Sequence, residues 1–359
     1  MEEHRQLRCL IAAGGTVGHV APALAVAEAL RERGVAVTFA GSPDRVEARL
    51  VPERGYPFDA FPVAGLPRRA GPELVRALGL AVTAPAACGR ILAHRRPDVV
   101  LGAGGYVAGP MVLAAWLRRI PAALTEADAH LGLANRLAAP FARRVMLAYP
   151  VQGRNGPKYR VVGRPIPTTS VAVPRERARR RFELPAEGAV VLVAGGSLGA
   201  RTLNETALEA WAAAGPAVLH VCGERDYDEL RGRVTRDDYR LVPFVDDYGA
   251  ALGAADLAVS RAGGSVWEIA AAGLPAVLVP YPDATADHQT KNAAYFARAG
   301  GAVVVPDDEA RERVPALVAE LLADPAGLEQ RAAAMRAAAK PHAADEIADE
   351  LISIATTRR

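Results

Sequence analysis

The chain has 359 residues, of which 51% are hydrophobic and 5% aromatic, and 43 basic against 40 acidic residues leave a net charge of +3. A chain of this length usually forms more than one hydrophobic core, which predicts two domains. The near balance of charges argues against nucleic acid as a partner. Cys9, Cys88 and Cys222 lack the paired spacing of disulfide or zinc frameworks, which indicates reduced thiols in a cytoplasmic protein.

Strand-like and helical segments alternate through the first half of the chain. Residues 8–13 form a predicted strand that ends at Gly14 and Gly15, and residues 22–33 follow with helical periodicity. Further strands are predicted at residues 35–40, 98–101, 121–124 and 144–147. This alternation predicts a parallel, doubly wound sheet. The polar N-terminus indicates no signal peptide, and the apolar run 77–90, interrupted by Pro85, is predicted not to cross a membrane.

The same pattern restarts near residue 188. The openings LIAAGGTVGHVAPALAVAEAL and VLVAGGSLGARTLNETALEAW both place A-G-G-x-x-G between a strand and a helix. We therefore predict an α/β protein with two Rossmann-like, doubly wound domains that face each other across a cleft. Their predicted ranges are residues 1–163 and 164–340, and residues 341–359 form an amphipathic helix expected to pack back on the first domain.

The two glycine-rich turns are typical of phosphate binding, because backbone N–H groups and a helix N-terminus face the anion. The strand after the first turn ends at Ser42 without the acidic residue that holds the ribose of a dinucleotide, which argues against NAD. His19 follows this turn at the start of a helix, where the helix dipole disfavours the imidazolium. A neutral imidazole suits a general base, although a histidine that only caps or packs remains the alternative.

Short motifs occur along nearly the whole chain in the order found in the MurG-type glycosyltransferases, and the sequence resembles that family. They are GGTVGHVAPALA (14–25), LGAGGYVAGP (101–110), EADAHLGLANR (126–136), GGSLGARTLN (195–204), FVDD (244–247), RAGGSVWEIAAAGLP (261–275) and DHQTKNA (287–293). The resemblance implies the GT-B fold and an inverting, metal-independent transfer without a cofactor. The donor would be UDP-N-acetylglucosamine and the acceptor the muramoyl 4-hydroxyl of lipid I, a polyprenyl-diphosphate-linked muramoyl peptide. The expected location is the inner face of the cell membrane, as a peripheral protein on an anionic surface.

The resemblance also implies roles for single residues. His19 matches the base and Glu126 a further catalytic position on the acceptor side. The implied acceptor-binding residues are Thr16, Gly18, Gly104, Gly105, Tyr106 and Asp128. The implied donor-binding residues are Arg164, Ser197, Phe244, Val245, Gly263, Gly264, Ser265, Glu268, His288, Gln289 and Asn292. Among these, Glu268 matches the ribose ligand, while Phe244 and the backbone of Val245 match the uracil site. No metal ligand is implied, and no Asp-x-Asp motif lies near these positions.

Four places depart from the family pattern. Val17 replaces a small residue, Asp128 an asparagine and Leu198 a glutamine, and residues 164–167 read Arg-Pro-Ile-Pro where Asn-Pro-Val-Arg is usual. These departures keep two alternatives open, namely a paralogue that glycosylates a different, soluble acceptor and a non-catalytic UDP-sugar-binding protein. A UDP-sugar epimerase of the same fold is disfavoured, because its carboxylate set is not recognisable.

A membrane-binding patch is also expected by resemblance within residues 67–97. Its basic members are Arg68, Arg69, Arg76, Arg90, Arg95 and Arg96, its apolar members are Leu74, Leu78, Leu80, Ile91 and Leu92, and Trp116, Arg118 and Arg119 could extend it. A basic face with an apolar centre suits an anionic membrane surface. The alternative is an ordinary amphipathic surface helix.

Overall fold

A computed structural model describes residues 5–65, 71–196 and 199–357 of the chain. It divides into two compact units, of which the first contains Met1–Pro167 and Pro341–Arg359 and the second contains Thr168–Lys340. Each unit is built on one parallel sheet, so the predicted pair of Rossmann-like, doubly wound sheets is confirmed. The division follows Pro167, close to residue 163, where the sequence analysis placed it.

The first unit contains a seven-stranded parallel sheet with the order β3-β2-β1-β4-β5-β6-β7. The strands are β1 (Arg8–Ala12), β2 (Ala36–Gly41), β3 (Phe58–Ala60), β4 (Val99–Gly102), β5 (Ala122–Glu126), β6 (Arg144–Leu147) and β7 (Tyr159–Val161). The side chains of β1 alternate between two cores, with Cys9 and Ile11 in one and Leu10 in the other. Both faces of the sheet are therefore buried, as continuous apolar strands require.

Helices flank this sheet. They are α1 (Val17–Glu32), α2 (Glu47–Glu53), α3 (Pro72–Arg95), α4 (Ala108–Leu117) and α5 (Leu133–Ala138). The helix predicted to begin at Pro22 begins five residues earlier, at Val17, and Pro22 lies inside it. Proline has no N–H to donate to the carbonyl four residues before it, here that of Gly18. Another donor, Arg164, supplies that hydrogen bond and allows the helix to continue.

Helix α3 corrects one expectation, because Pro85 does not interrupt it. A proline removes one backbone hydrogen bond, and the remaining bonds of a helix this long can hold it together. Its segment Val75–Arg95 is long and apolar enough to cross a membrane by length and composition alone, with a mean hydropathy of 1.3, and about a quarter of it is buried. One such helix does not establish a span, since core helices of soluble proteins share this composition.

The second unit contains a six-stranded parallel sheet with the order β10-β9-β8-β11-β12-β13. The strands are β8 (Val190–Ala194), β9 (Ala217–Val221), β10 (Tyr239–Val242), β11 (Leu257–Ser260), β12 (Ala276–Leu278) and β13 (Ala302–Val304). The helices are α6 (Arg175–Arg181), α7 (Arg201–Trp211), α8 (Glu224–Leu230), α9 (Tyr248–Ala254), α10 (Val266–Ala271), α11 (His288–Arg298), α12 (Ala310–Leu322) and α13 (Pro325–Ala338).

The last helix, α14 (Ala343–Thr356), belongs to the first unit and packs along α1. Its apolar stripe of Ile347, Leu351 and Ile354 is buried in the same core as Ile11. Glu350 on α14 pairs with Arg144 of β6 and Arg160 of β7. The apolar residues spaced three and four apart in the sequence thus form the face with which α14 contacts the rest of the first unit.

Candidate functional site

Both glycine-rich turns lie where the strand order of their sheet reverses. Strand β1 pairs with β2 on one side and β4 on the other, and β8 likewise pairs with β9 and β11. The connections after these central strands leave toward opposite faces of the sheet, which opens a crevice at their carboxyl ends. Ligands of doubly wound proteins bind at this position, so the topology indicates one candidate site in each unit.

In the first unit, His19 lies in the first turn of α1, directly after the glycine turn. Its Nδ1 is 3.2 Å from the Thr16 hydroxyl oxygen. Burial lowers the pKa of His19 and the nearby charge of Arg164 lowers it further, while the charge of Asp128 and a hydrogen bond to the Gly14 backbone act in the opposite direction. The imidazole is therefore held neutral to more acidic pH than an ordinary histidine, as a general base requires.

The loop of Gly104, Gly105 and Tyr106 packs directly on this turn. A Cβ on Gly104 would lie 2.5 Å from the Cδ2 of His19, and one on Gly105 would lie 2.2 Å from the Gly14 carbonyl oxygen. Only glycine permits an approach this close, and both residues also have positive φ angles. The structure therefore brings together the two glycine segments that the sequence analysis assigned to the acceptor.

Glu126, at the end of β5, lines the same pocket as Gly18, His19 and Arg164. Its carboxylate accepts hydrogen bonds from the backbone N–H of Gly132 at 2.9 Å and from Asn135 Nδ2 at 2.9 Å. Burial raises the pKa of Glu126, and the hydrogen bonds from Asn135 and Gly132 offset part of this rise. The carboxylate is thus a structured part of the pocket wall that also anchors the loop from Asp128 to Gly132.

Arg164, which the sequence analysis assigned to the donor side, belongs to the first unit by sequence position. Its Nη2 donates to the Gly18 carbonyl oxygen at 2.5 Å. That carbonyl has lost its helical partner to Pro22, so the guanidinium supplies the missing donor. The result is a cation beside His19, which no local sequence pattern indicates because 146 positions separate the bonded residues.

Val17, which replaces a small residue of the family pattern, is the first residue of α1. It is 45% exposed, so its side chain is not part of the packing between the glycine segments.

In the second unit, the candidate donor residues follow the carboxyl ends of successive strands. Phe244 follows β10, Gly263 follows β11 and His288 follows β12, so all of them lie at one edge of the parallel sheet. Gly263, Gly264 and Ser265 lead into α10, which gives a helix N-terminus at this edge. Ser197, with its neighbour Leu198, lies outside the described residues.

Glu268 lies in the first turn of α10 and accepts a hydrogen bond from the Ser170 hydroxyl at 2.6 Å. Ser170 is buried, in a short turn at the start of the second unit. Burial raises the pKa of Tyr248, and the charge of Glu268 raises it further. Sequence reasoning missed both Ser170 and Tyr248, because no motif in the sequence distinguishes either of them.

The three candidate residues of α11 take different positions. His288 donates through Nδ1 to the Thr285 carbonyl at 2.9 Å, which sets its tautomer and leaves Nε2 as the acceptor nitrogen. Gln289 accepts from the Tyr281 N–H at 2.9 Å, and its Nε2 faces Gly263. Asn292 is fully buried and donates to the Ala262 carbonyl at 3.1 Å, so it supports the turn before Gly263.

Phe244 and Val245 lie in the loop between β10 and α9, and the Phe244 ring is 48% exposed. The loop is held at its far end by Asp247, which caps α9 by accepting from the Ala250 N–H and pairs with Arg181. An exposed aromatic ring on an anchored loop is available to stack on a flat ligand.

A buried polar chain holds the second glycine turn. Tyr239 donates to His220 Nδ1 at 2.8 Å, and His220 Nε2–H donates to Asn204 Oδ1 at 3.0 Å. The Asn204 amide then donates to the Cys222 carbonyl at 2.9 Å. A Cβ on Gly199 would lie 2.1 Å from that same carbonyl oxygen, so the chain fixes the surface on which the turn rests.

Of the residues expected to form a membrane patch, Trp116 is exposed, Leu92 is buried in the core and Arg95 forms a two-pronged ion pair with Asp59. Val75, Val82 and Leu117, which were not part of that expectation, are also exposed. Arg68 and Arg69, together with the side chains of Leu74 and Leu78, lie outside the described residues. Within the described part of the chain, no group of three histidine, cysteine or acidic side chains is arranged to hold a metal ion.

Comparisons with known proteins agree with this architecture. The glycosyltransferase family 28 N-terminal domain matches residues 9–147, and the glycosyltransferase family 28 C-terminal domain matches residues 190–349. A UDP-N-acetylglucosamine–N-acetylmuramyl-(pentapeptide) pyrophosphoryl-undecaprenol N-acetylglucosamine transferase of Halorhodospira halophila is 44% identical over 94% of this chain and 96% of its own length. A protein of the same name from Acidithiobacillus ferrooxidans is 42% identical over 96% of this chain and 97% of its own length.

Among solved structures, the chain is similar to MurG of Acinetobacter baumannii. The two share 30% sequence identity and a TM-score of 0.80 over 97% of this chain and 99% of the other. The two family models match both units of the chain, and a relative that aligns over nearly its full length is 44% identical. The chain belongs to glycosyltransferase family 28.

Proposed function

We propose that the protein transfers N-acetylglucosamine from UDP-N-acetylglucosamine to the muramoyl 4-hydroxyl of undecaprenyl-diphosphate muramoyl-pentapeptide. The observation that carries the proposal is the full-length similarity to relatives named for this reaction, at 44% identity for one of them. It extends from the first glycine turn to the last helix, so it includes both candidate sites rather than the fold alone.

His19 is the base in this proposal. As the acceptor oxygen forms its bond to C1 of the sugar, its proton passes to the imidazole, and the bond from C1 to the diphosphate breaks with the electron pair leaving on UDP. The lowered pKa of His19 supports the role, because the ring must be neutral to accept the proton. Attack from the face opposite the leaving group inverts the configuration at C1.

The acceptor is assigned to the first unit. Thr16, Gly18 and the loop of Gly104, Gly105 and Tyr106 surround His19, and Thr16 and Gly18 are exposed at the start of α1. Backbone N–H groups at a helix N-terminus favour a diphosphate. Glu126 and Asp128 complete this side of the pocket, and the cation of Arg164 offsets part of their negative charge.

The donor is assigned to the second unit. Glu268, held by Ser170, accepts the ribose hydroxyls, and exposed Phe244 with the backbone of Val245 receives the uracil. His288 and Gln289 contact the sugar hydroxyls. Gly263, Gly264 and Ser265, at the N-terminus of α10, stabilise the departing diphosphate together with Ser197, so the proposed transfer needs no metal ion.

The proposal includes binding to a membrane surface, which the exposed apolar side chains of α3 and α4 support. Val75, Val82, Trp116 and Leu117 would enter the interface, with Arg76, Arg90, Arg118 and Arg119 near anionic headgroups. Such a location would bring the chain to a lipid-linked acceptor on the inner face of the cell membrane.

The test is transfer of radiolabelled N-acetylglucosamine from its UDP donor to lipid I or a short-chain analogue. His19→Ala is expected to lower kcat by ~10²-fold or more while the Kd for UDP stays unchanged, because general-base catalysis contributes about that factor. Glu268→Ala is expected to weaken UDP binding roughly tenfold, as loss of a charged hydrogen bond does. The matched control is Glu329→Ala, an exposed carboxylate of the same unit that pairs with Arg336 on α13.

Absence of transfer by a wild-type protein that binds UDP would show that another acceptor is used. Wild-type turnover in His19→Ala would remove His19 as the base, and unchanged UDP affinity in Glu268→Ala would remove the ribose contact.

A further inference from the structure

Glu47 is a fully buried carboxylate beneath the first glycine turn, and the proposed reaction gives it no role. It is the first residue of α2, and its two oxygens are both engaged by backbone groups. Oε2 accepts from the Gly15 N–H at 3.0 Å and Oε1 from the Ser42 N–H at 3.1 Å. Burial of a carboxylate is costly unless its oxygens are hydrogen-bonded, so these two contacts account for its presence in the core.

The contact with Gly15 reaches His19 through one peptide group and the loop that packs on it. The N–H of Gly15 and the carbonyl of Gly14 belong to the same planar unit, which rotates as one body. The Gly14 carbonyl oxygen packs against Gly105, and the neighbouring Gly104 packs against the His19 ring. The carboxylate of Glu47 therefore holds one edge of a peptide whose other edge contacts the loop beside His19.

The surroundings of this peptide leave little room for it to turn. A Cβ on Gly14 would lie 2.2 Å from Glu47 Oε1, and one on Gly105 would lie 2.2 Å from the Gly14 carbonyl oxygen. A Cβ on Gly41 would lie 2.8 Å from Glu47 Cγ. Glycines at three positions in the sequence thus pack the carboxylate, the peptide and the loop of Gly105 against one another.

We propose that Glu47 is a positioning residue for His19, which it orients through the peptide group between Gly14 and Gly15. This inference rests on the proposed role of His19 as the base. By accepting from the Gly15 N–H, the carboxylate fixes the peptide against which the loop of Gly104 and Gly105 packs. This loop and the Thr16 hydroxyl, 3.2 Å from Nδ1, then hold the imidazole in one orientation. Because the Gly15 N–H already donates to Glu47, the acceptor diphosphate would bind the N–H groups at the exposed start of α1 instead.

The first test is Glu47→Gln. Glutamine offers one acceptor oxygen and one N–H₂, so it can satisfy only one of the two backbone donors. We expect kcat to fall by roughly tenfold or more through misplacement of the base, with the KM values for donor and acceptor changing by less than about threefold. The imidazole ¹⁵N chemical shifts of His19 should also change, because the ring would no longer be held in one orientation. Glu53→Gln, at the exposed end of the same helix, is the matched control and should leave both measurements unchanged.

The second test uses the wild-type protein and therefore holds even if Glu47→Gln does not fold. Protonation of His19 should change the amide ¹H and ¹⁵N shifts of Gly15, since the ring and this peptide pack against the same loop of Gly104 and Gly105. The Ser42 amide, on the other carboxylate oxygen, should move less. A Gly15 amide that stays constant through the His19 titration would overturn the proposal.

A folded Glu47→Gln variant with wild-type kcat and unchanged His19 shifts would overturn it as well. The His19→Ala result separates this failure from failure of the proposed function. If His19→Ala is inactive and Glu47→Gln is fully active, only the positioning role is lost. If His19→Ala is itself active, the base assignment is lost and the inference with it.

Discussion

At the scale of single residues, His19 has two charged neighbours at positions where the family pattern has uncharged residues. Asp128 and Arg164 both stand where asparagine is usual, and they carry opposite charges. Both charges act on His19, in opposite directions. The two departures therefore compensate each other at the imidazole, although each one alone would shift its protonation.

This compensation predicts the pH dependence of turnover. Because the pKa of His19 is lowered, the neutral base persists below the ordinary value of 6.5, and the acid limb of the kcat/KM profile should lie below that pH. Arg164→Gln removes a cation that disfavours the imidazolium, so it should move the acid limb to higher pH. Asp128→Asn should move it to lower pH, and the measurement is kcat/KM between pH 5 and 9.

The double variant Arg164→Gln/Asp128→Asn should return the acid limb toward the wild-type position. Arg49→Gln, an exposed arginine of the same unit, serves as the control. Identical profiles for the two single variants would contradict the expected opposition of charges.

At the scale of elements, the attachment of α14 to the first unit depends on Glu350. Its side chain is 9% exposed and pairs with Arg144 and Arg160, which lie on adjacent strands. The helix also buries Ile347, Leu351 and Ile354. One carboxylate thus connects the end of the chain to two strands, while the apolar stripe supplies the contact area.

We predict that Glu350→Ala lowers the free energy of unfolding by about 2 kcal/mol. Removal of one partner leaves buried charge unpaired, which costs roughly 3–5 kcal/mol in a fully buried pair, and the partial exposure of the two arginines reduces that value. Urea denaturation is the measurement. Asp349→Ala is the matched control on the same helix, since Asp349 is 65% exposed and should cost less than about 1 kcal/mol. Equal losses for the two variants would contradict a special role for Glu350.

At the scale of the whole molecule, each unit has its glycine turn after the central strand of a parallel sheet, but different side chains support the two turns. The first glycine turn rests on a buried carboxylate, Glu47, and the second on the buried chain of Tyr239, His220 and Asn204. Burial lowers the pKa of His220 from 6.5 to about 3. The hydrogen-bonded chain that supports the second turn is therefore expected to make the stability of the second unit depend on pH.

The sign of this dependence follows from proton binding. The unfolded chain binds a proton at His220 below pH 6.5, while the folded chain does so only near pH 3, so stability is lost as pH falls from 6.5 toward 3. We predict that the free energy of unfolding of the second unit falls by about 2 kcal/mol between pH 7 and pH 5. Urea unfolding followed by Trp211 and Trp267 in a Trp116→Phe background reports this unit.

His220→Gln provides the comparison, because glutamine keeps a hydrogen-bonding side chain and does not titrate. The variant should be less stable at pH 7 but should lose less stability on acidification. An equal loss in both proteins would assign the pH dependence to other groups.

The sequence by itself was sufficient to predict the two parallel sheets, the two glycine turns and the apolar stripe of α14. These features depend on local periodicity and turn chemistry, which each segment carries without its neighbours. Segment ends were less predictable, since α1 begins before Pro22 and α3 continues through Pro85. In both cases a local rule against proline inside a helix was outweighed by the rest of the helix and, for α1, by a distant arginine.

Tertiary structure alone decided which side chains support each turn. Arg164 supplies the donor that Pro22 lacks, Glu47 holds the Gly15 N–H of the first turn, Ser170 contacts Glu268, and Asn292 donates to the Ala262 carbonyl. The bonded residues are 30 to 146 positions apart in the sequence, so their contacts depend on how the sheets bring chain segments together. Local sequence patterns contain no information about such pairs, because hydrogen bonds and burial act through space rather than along the chain.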